Sequence, residues 1–383
     1  MADNTIALNL RRIRRAANIS QVDLAGRSGI SRAAYQNIEN GRSEPRIGNL
    51  QAIARALDVS IQQLVEPARE LRAVRFRSNK SLRSREQVLA DVGQWLDNFG
   101  DLEKILGDRV EYRLEGIAKK LAPGENRGRA AASLARAALG LDREEPIRDI
   151  CGLLESGGIK VGAKKIASHA FFGLSVAAAE GGPAVFVNTW ERISVERWIF
   201  TAAHELGHLI LHLADYDVGS TEEKEEHEAE ANEFAAFFLM PEASFRKEWE
   251  ETYGLAFIDR VMKVKRIFRV SYRTVLHRLA GEFSGPGNIW SRFQTDYVRR
   301  YGRSLLREDE PDALEKDAFR ASFPEPERSG EPDTLSPADF LQDRLCRLVR
   351  RAVEQEKISL ARGAEILGIP LQAIRDLSCS WVG

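Results

Sequence analysis

The sequence predicts a mainly helical α+β protein, and three observations carry that expectation. Capped stretches with apolar residues at helical spacing recur along most of the 383 residues. Strand-like runs are confined to one stretch between Ile159 and Val187. Directly after it, a long helical segment carries His204, His208 and His212 on one face. The length allows two or three domains, each with its own core. The expected division is a five-helix N-terminal domain over 1–68 and a helical connector over 69–146. A domain with a small sheet and the histidine helix follows over 147–284, then a linker and C-terminal helices over 285–383.

In the first segment, Ser20-Gln21-Val22-Asp23 reads as a capping box ahead of an apolar run. Gly29 stands where two short helices must turn, Ser31 caps the next helix, and Gly41 supplies its left-handed stop. Leu10, Ile13, Leu24, Ala25, Ile30, Tyr35, Ile38, Leu50, Ile53, Ala54 and Leu57 are the expected core, and Pro67 closes the unit.

Residues 71–143 are rich in Ala, Leu and Arg and read as helix, broken at Pro123-Gly124 and Gly128. Ile147–Gly157 reads as a further helix. Ile159–Val161, Phe171–Ala179 and Ala184–Val187 read as strands, the last two joined by Gly181-Gly182-Pro183. Helices are expected over Glu191–Leu213, Glu222–Leu239, Phe257–Phe268 and Tyr272–Phe283. Ser284-Gly285-Pro286-Gly287 reads as a linker. Arg307–Pro337 holds five of the thirteen prolines among many acids and reads as a mobile connection. A helical pair is expected over Phe340–Leu377. In it Ser359, Ala364, Gly368 and Ile369 repeat the spacing of Ser20, Ala25, Gly29 and Ile30, with Ile374 in the place of Tyr35. An ordinary helical hairpin is the favoured reading there, because Glu365, Pro370 and Asp376 suit a phosphate surface poorly.

A net charge of −1 excludes a generic polyanion binder. Charge is local: Arg11, Arg12, Arg14 and Arg15 form one basic cluster, Arg72, Arg75, Arg77, Lys80, Arg83 and Arg85 a second, and Glu308–Glu331 is acidic. Cys151, Cys346 and Cys379 have neither zinc-knuckle spacing nor a disulfide framework, which points to a reducing compartment. The N-terminal residues lack a signal-peptide pattern, and no apolar run is long enough to span a bilayer. A cytoplasmic location without membrane partners is therefore expected.

The chemistry concentrates in Ala203-His204-Glu205-Leu206-Gly207-His208. Two imidazoles four residues apart on a helix can reach one ion, and the intervening Glu can act as general base, the HExxH pattern of zinc peptidases. A solvated polar face is the competing reading, but half of the six histidines lie on this helix. A third protein ligand is needed. On the next helix Glu228 and Asn232 share a face, Glu228 as ligand and Asn232 as a hydrogen-bond partner of a ligand imidazole. Glu230 points elsewhere, and Glu222, Glu223, Glu225 and Glu226 read as a solvated helix start. His212 lies roughly 12 Å from His204 along a continuous helix, which assigns it a rim or substrate-contact role. Tyr216, His212 and His227 are the candidates for stabilising an oxyanion.

Leu8–Leu64 closely resembles the Cro/C1-type helix-turn-helix family, through its Ser-Gln…Leu-Ala…Gly-Ile-Ser…Ile-Glu-Asn-Gly string and the downstream Leu-Asp-Val-Ser. In that family the second helix of the motif enters the major groove. The resemblance implies that Arg32, Ala33, Gln36 and Asn37 face bases. Gln21 and Asn40 would hold phosphates, with Arg42 and Arg46 as helpers and Ser31 at the helix start. Arg32 could read guanine in a bidentate manner, and Ala33 offers only a methyl contact. A helix-turn-helix used only for protein contacts is the alternative, because the domain is only mildly basic.

Val185–Asn188, the Ala-His-Glu-Leu-Gly-His-Leu-Ile-Leu-His run and Glu-x-Glu-Ala-Asn-x-Phe-Ala…Leu-Met-Pro resemble the ImmA/IrrE family of metallo-endopeptidases over about Ile147–Phe283. The resemblance implies a zincin-like fold with Zn2+ on His204, His208 and Glu228, and Glu205 as the base. Members typically cleave a repressor. The expected protein is therefore a zinc endopeptidase with a DNA operator and a protein substrate, a repressor or other transcription regulator, as partners; a homodimer is compatible with this. Two alternatives stay open: a DNA-binding repressor whose peptidase-like domain senses a ligand or metal without turnover, and an antitoxin-like binding protein.

Overall fold

The computed structural model describes residues 5–17, 19–65, 71, 73–78, 85–122, 124, 126–216, 224–282, 286–306, 308–315 and 331–381. The chain divides into two compact units. One comprises Met1–Leu71 and Lys80–Phe99, the other Arg72–Asn79 and Gly100–Gly383.

The first unit is a helical bundle. It contains α1 (Thr5–Ala16), α2 (Gln21–Arg27), α3 (Arg32–Glu39), α4 (Ile47–Leu57), α5 (Ile61–Val65) and the start of α6 (Arg85–Leu106). The Ser20 and Ser31 hydroxyls accept from the Asp23 and Ala34 amides, so each short helix starts on a cap. Gly29 turns between α2 and α3 at φ 65° and Gly41 ends α3 at φ 70°, backbone that favours glycine. Leu10, Leu24, Ala25, Tyr35, Ile38, Leu50, Ile53, Ala54 and Leu57 fill the core, with Ile13 and Ile30 packed against it.

The second unit holds a four-stranded sheet in the order β1-β3-β4-β2: β1 (Val74–Ser78), β2 (Lys160–Lys164), β3 (Phe171–Val176) and β4 (Ala184–Asn188). β3 is antiparallel to both β1 and β4, and β2 is parallel to β4. The expected wholly helical connector is corrected here: Val74–Ser78 is a strand. Its alternation of Val74 and Phe76 with arginines has the strand period of two, but its partner β3 lies about a hundred residues on. Helices α7 (Arg127–Ala138), α8 (Ile150–Ser156), α9 (Val195–Leu211) and α10 (Glu225–Leu239) surround the sheet region. Phe234 and Phe238 of α10 are fully buried, each contributing about 1.5–3 kcal/mol of transfer free energy.

Close approach depends on glycine. A Cβ on Gly173 would stand 2.7 Å from Thr201 Cγ2 and 2.9 Å from the Phe186 carbonyl, so β3 meets α9 nearly backbone to helix. A Cβ on Gly128 would stand 2.4 Å from the Glu230 carbonyl, which brings α7 equally close to α10.

Beyond α10 come α11 (Glu242–Glu250), α12 (Phe257–Phe268), α13 (Tyr272–Glu282), α14 (Pro286–Tyr301), α15 (Arg344–Glu354), α16 (Leu360–Leu367) and α17 (Leu371–Cys379). Three expectations are corrected. Pro286 and Gly287 open helix α14 instead of a linker, since proline at a first helical position has no N–H to lose; Ser284 and Gly285 lie outside the described residues. The C-terminal pair is three helices, because Glu356 at φ 56° and Gly368 at φ 64° interrupt the periodicity. Segments 308–315 and 331–337 are pinned down. Buried Arg266 donates to the Leu314 and Glu331 carbonyls and pairs with Asp333, while buried Lys265 pairs with Glu196 and lies 3.3 Å from Glu310. Acidic and proline-rich composition concealed the buried cations waiting on α12; residues 316–330 lie outside the described residues.

Candidate metal centre

Helix α9 starts on a Ser194 cap and is buried on every side. Its histidines therefore do not form a solvated face: His204, Glu205 and His208 are all 0% exposed. An apolar ridge alone would not bury them. They are buried because α10 covers the opposite face, with Gly207 allowing the ring of Phe234 to approach within about 3.0 Å of where a Cβ would sit.

Glu228 on α10 completes a cluster. His204 Nε2 and His208 Nε2 are 2.9 Å apart. Glu228 Oε1 lies 3.2 Å from His208 Nε2, and its Oε2 lies 3.5 Å from His204 Nε2. Together they form a group of three potential ligands, found among the described residues. Three tetrahedral zinc ligands at about 2.0–2.2 Å from the ion stand roughly 3.3–3.6 Å from one another; the two Glu228 distances lie close to that range, and the 2.9 Å histidine pair would open by a few tenths of an ångström around an ion.

The chemistry of the donors fits as well. His204 Nδ1 is 2.9 Å from Asn232 Oδ1, and with its hydrogen on Nδ1 the ring donates to the amide oxygen and presents Nε2 as a ligand atom. Burial pushes the His208 imidazolium well below its ordinary range, so that ring is neutral. Two imidazole lone pairs and a carboxylate then converge on one point, an arrangement that repels itself unless a cation sits there. Arg75 of β1 donates to Glu228 Oε1 at 3.1 Å, both side chains being mostly buried, and so orients the carboxylate.

Glu205 lies outside this trio. Its Oε2 accepts from Ser175 Oγ at 2.7 Å, and Ser175 Oγ accepts from Tyr216 Oη at 2.7 Å. Period-two alternation in β3 puts Ser175 on the same face as Gly173, toward α9. Glu205 is thus held by a strand hydroxyl, behind which stands a tyrosine at 9% exposure.

Two assignments change. Helix α9 ends at Leu211, so His212 is its C-cap, and Leu213, expected as the last residue of the helix, is 48% exposed. His212 is 3% exposed and is no rim residue: its Nδ1 is 2.9 Å from His208 Nδ1, and its Nε2 is 2.8 Å from Glu230 Oε2. Its hydrogen-bonding atoms, like the Tyr216 hydroxyl, are committed to other side chains, which removes both as oxyanion stabilisers. His227 stacks on His212 with centroids 4.1 Å apart, its Nδ1 3.6 Å from Asp215. Glu225 and Glu226 are exposed as expected; Glu222 and Glu223 lie outside the described residues.

In the first unit, Arg32, Ala33, Asn37, Asn40 and Arg42 are exposed along α3 and the turn after it. Ser31 is exposed, with its oxygen used by the cap. Gln36 donates to Gln21 Oε1 at 3.3 Å and Gln21 donates to Glu39 Oε1 at 2.9 Å, which braces the two glutamines from below. Burial alone would raise the Glu39 carboxyl, but the hydrogen bonds from Arg14 and Gln21 outweigh it and hold the group at about 2. This brace was not legible in the sequence, nor were the contacts of Arg75, Ser175 and Glu230, because each needs a partner from a distant element. A serine amid apolar residues of a buried strand was the one available signal.

Comparison with known proteins places two domains on this chain. Residues 155–280 match the IrrE N-terminal-like domain, and residues 10–64 match the helix-turn-helix family. Two uncharacterized HTH-type transcriptional regulators of Sinorhizobium fredii are similar to the N-terminal part. One, y4dL, is 39% identical over 70 residues, 18% of this chain and 35% of its own length. The other, y4dJ, is 35% identical over 65 residues, 17% of this chain and 84% of its own length. Among the described residues no helix is long and apolar enough to cross a membrane.

Proposed function

From the match of residues 155–280 to the IrrE N-terminal-like domain and of residues 10–64 to the helix-turn-helix family, we propose that the chain is a zinc-dependent regulatory endopeptidase. Its substrate is a partner protein, a repressor or other transcription regulator, and its helix-turn-helix binds a DNA operator. The observation that carries the reading is the convergence of His204, His208 and Glu228 beside a buried Glu205 that is not one of the three.

His204, His208 and Glu228 would hold a zinc ion. Zinc bound there supplies Lewis-acid chemistry, acidifying water and polarising a peptide carbonyl. Glu205 accepts the proton of the attacking water at a carboxylate oxygen and returns it to the amine nitrogen as the C–N bond breaks. Ser175, itself hydrogen-bonded by Tyr216, holds one oxygen of that carboxylate in place. On the DNA side, Arg32, Ala33, Gln36 and Asn37 face bases, and Gln21, Asn40 and Arg42 take phosphates.

The test is affinity capture with the Glu205→Gln protein. Glutamine cannot accept the proton, so cleavage should fall by about 10²–10⁴ while zinc and fold are kept. A protein retained by this variant and cut by the wild type identifies the substrate. Wild-type regulation in cells carrying Glu205→Gln would favour a DNA-binding repressor whose second domain senses without turnover.

A further inference from the structure

We propose that His212 and Glu230 are positioning residues that set the tautomer of His208 and thereby hold its Nε2 open for the ion. The inference deepens the zinc reading above and rests on it. It follows from which atoms can donate. Both oxygens of Glu230 accept from Arg127 Nη1, at 3.1 and 3.3 Å, so each already serves as an acceptor. The 2.8 Å contact between Glu230 Oε2 and His212 Nε2 therefore places the hydrogen on His212 Nε2. A neutral imidazole carries one N–H, so His212 Nδ1 is an acceptor. Across the 2.9 Å contact His208 Nδ1 must then be the donor. With its one hydrogen on Nδ1, His208 turns a bare Nε2 toward His204 and Glu228.

The direction of the chain is fixed at the carboxylate end. The amide behind His204 could donate or accept, whereas a carboxylate can only accept, so the relay from Glu230 admits one order of hydrogens. His227 stacked on the His212 ring at 17° holds its plane, and Gly128 lets α7 come close enough for Arg127 to reach Glu230. Partners of this kind commonly carry 10–100-fold of metal affinity.

Two measurements on the full-length protein test this. The first is Zn2+ affinity by competition with a chromophoric chelator. His212→Phe and Glu230→Ala should each weaken binding by about 10–100-fold, and Glu230→Gln, whose amide oxygen still accepts, should recover most of it. The second is nitrogen NMR of the metal-free protein labelled on histidine. His208 should carry its hydrogen on Nδ1 in the wild type and lose that preference in His212→Phe. If His212→Phe does not fold, Glu230→Ala decides, since its side chain is partly exposed. Wild-type affinity in both Glu230→Ala and a folded His212→Phe, or a wild-type His208 with its hydrogen on Nε2, overturns the relay. A wild type that binds no Zn2+ overturns the peptidase reading instead, and the NMR measurement still decides the tautomer.

Discussion

Helix pairs α9–α10 and α2–α3 both carry polar residues in functional patterns, and they treat them in opposite ways. On α9–α10 His204, Glu205, His208 and His212 are buried, Glu228 is half-buried, and the cluster is held from behind: Asn232 at His204, His212 at His208, Arg75 at Glu228, Ser175 at Glu205. On α2–α3 the bracing lies underneath, at Gln21, Gln36 and Glu39, while Arg32, Ala33 and Asn37 are exposed. A reacting centre needs fixed geometry before its substrate arrives. An interface that reads DNA needs side chains still available to bond. The difference teaches that substitutions in the first pair should act nearly all-or-none and those in the second by degrees.

The largest effect is expected from His204→Ala or His208→Ala. Each removes a ligand, so zinc should fall from one ion per chain toward none and cleavage should vanish with it, by elemental analysis and a peptide assay. Near-full zinc in the double variant would break the comparison at its stronger end. Next comes acid. Glu39 titrates at about 2 in the fold against 4.5 ordinarily. A carboxyl lowered on folding stabilises above its unfolded value and loses that contribution as pH falls through the folded value. The first unit should thus lose on the order of 3 kcal/mol between about pH 4.5 and 2. Denaturant midpoints against pH read this, and Glu39→Gln should flatten the slope; an unchanged slope means the brace contributes little.

Smaller effects sharpen the contrast. Gly173→Ala must push β3 off α9 and should cost about 1–3 kcal/mol of stability, together with the Ser175 contact to Glu205. A thermal melt like the wild type's would show that the close approach is not needed. Arg32→Ala should weaken operator binding by roughly 1–3 kcal/mol and relax one base position. Gln21→Ala should weaken all sequences alike, by about 1 kcal/mol. Gel shifts over a randomised library separate the two, and equal behaviour would mean that α3 does not read bases.

What was legible in the sequence follows from range. The caps, the left-handed glycines and the small core of α1–α5 are local, and so is the i, i+4 geometry that paired His204 with His208 and Glu228 with Asn232. The mainly helical α+β class was legible for the same reason. Strand β1 was missed because its pairing with β3 is non-local and its arginines read as a basic run. His212 was misplaced because a helix wheel continues past Leu211, whereas the helix does not. The strap on Arg266 was hidden because composition reports exposure on average, and a buried guanidinium collects carbonyls from wherever the chain passes. The repeat of Ser20–Ile30 at Ser359–Ile369 was legible to the hydrogen bond. Ile30 N donates to Ala25 O and Ile369 N to Ala364 O, both at 3.0 Å, yet the outward residues differ, and with them any use of the turn.

Strand β1 has one more consequence. Because Val74–Ser78 is hydrogen-bonded into the sheet of the second unit while Lys80–Phe99 belongs to the first, the polypeptide passes between the units at three places. A fragment beginning at Gly100 would lack an edge strand and the arginine that orients Glu228, and a fragment ending at Leu71 would lack part of its own unit. A single cut anywhere from 72 to 99 therefore takes a piece from one unit or the other.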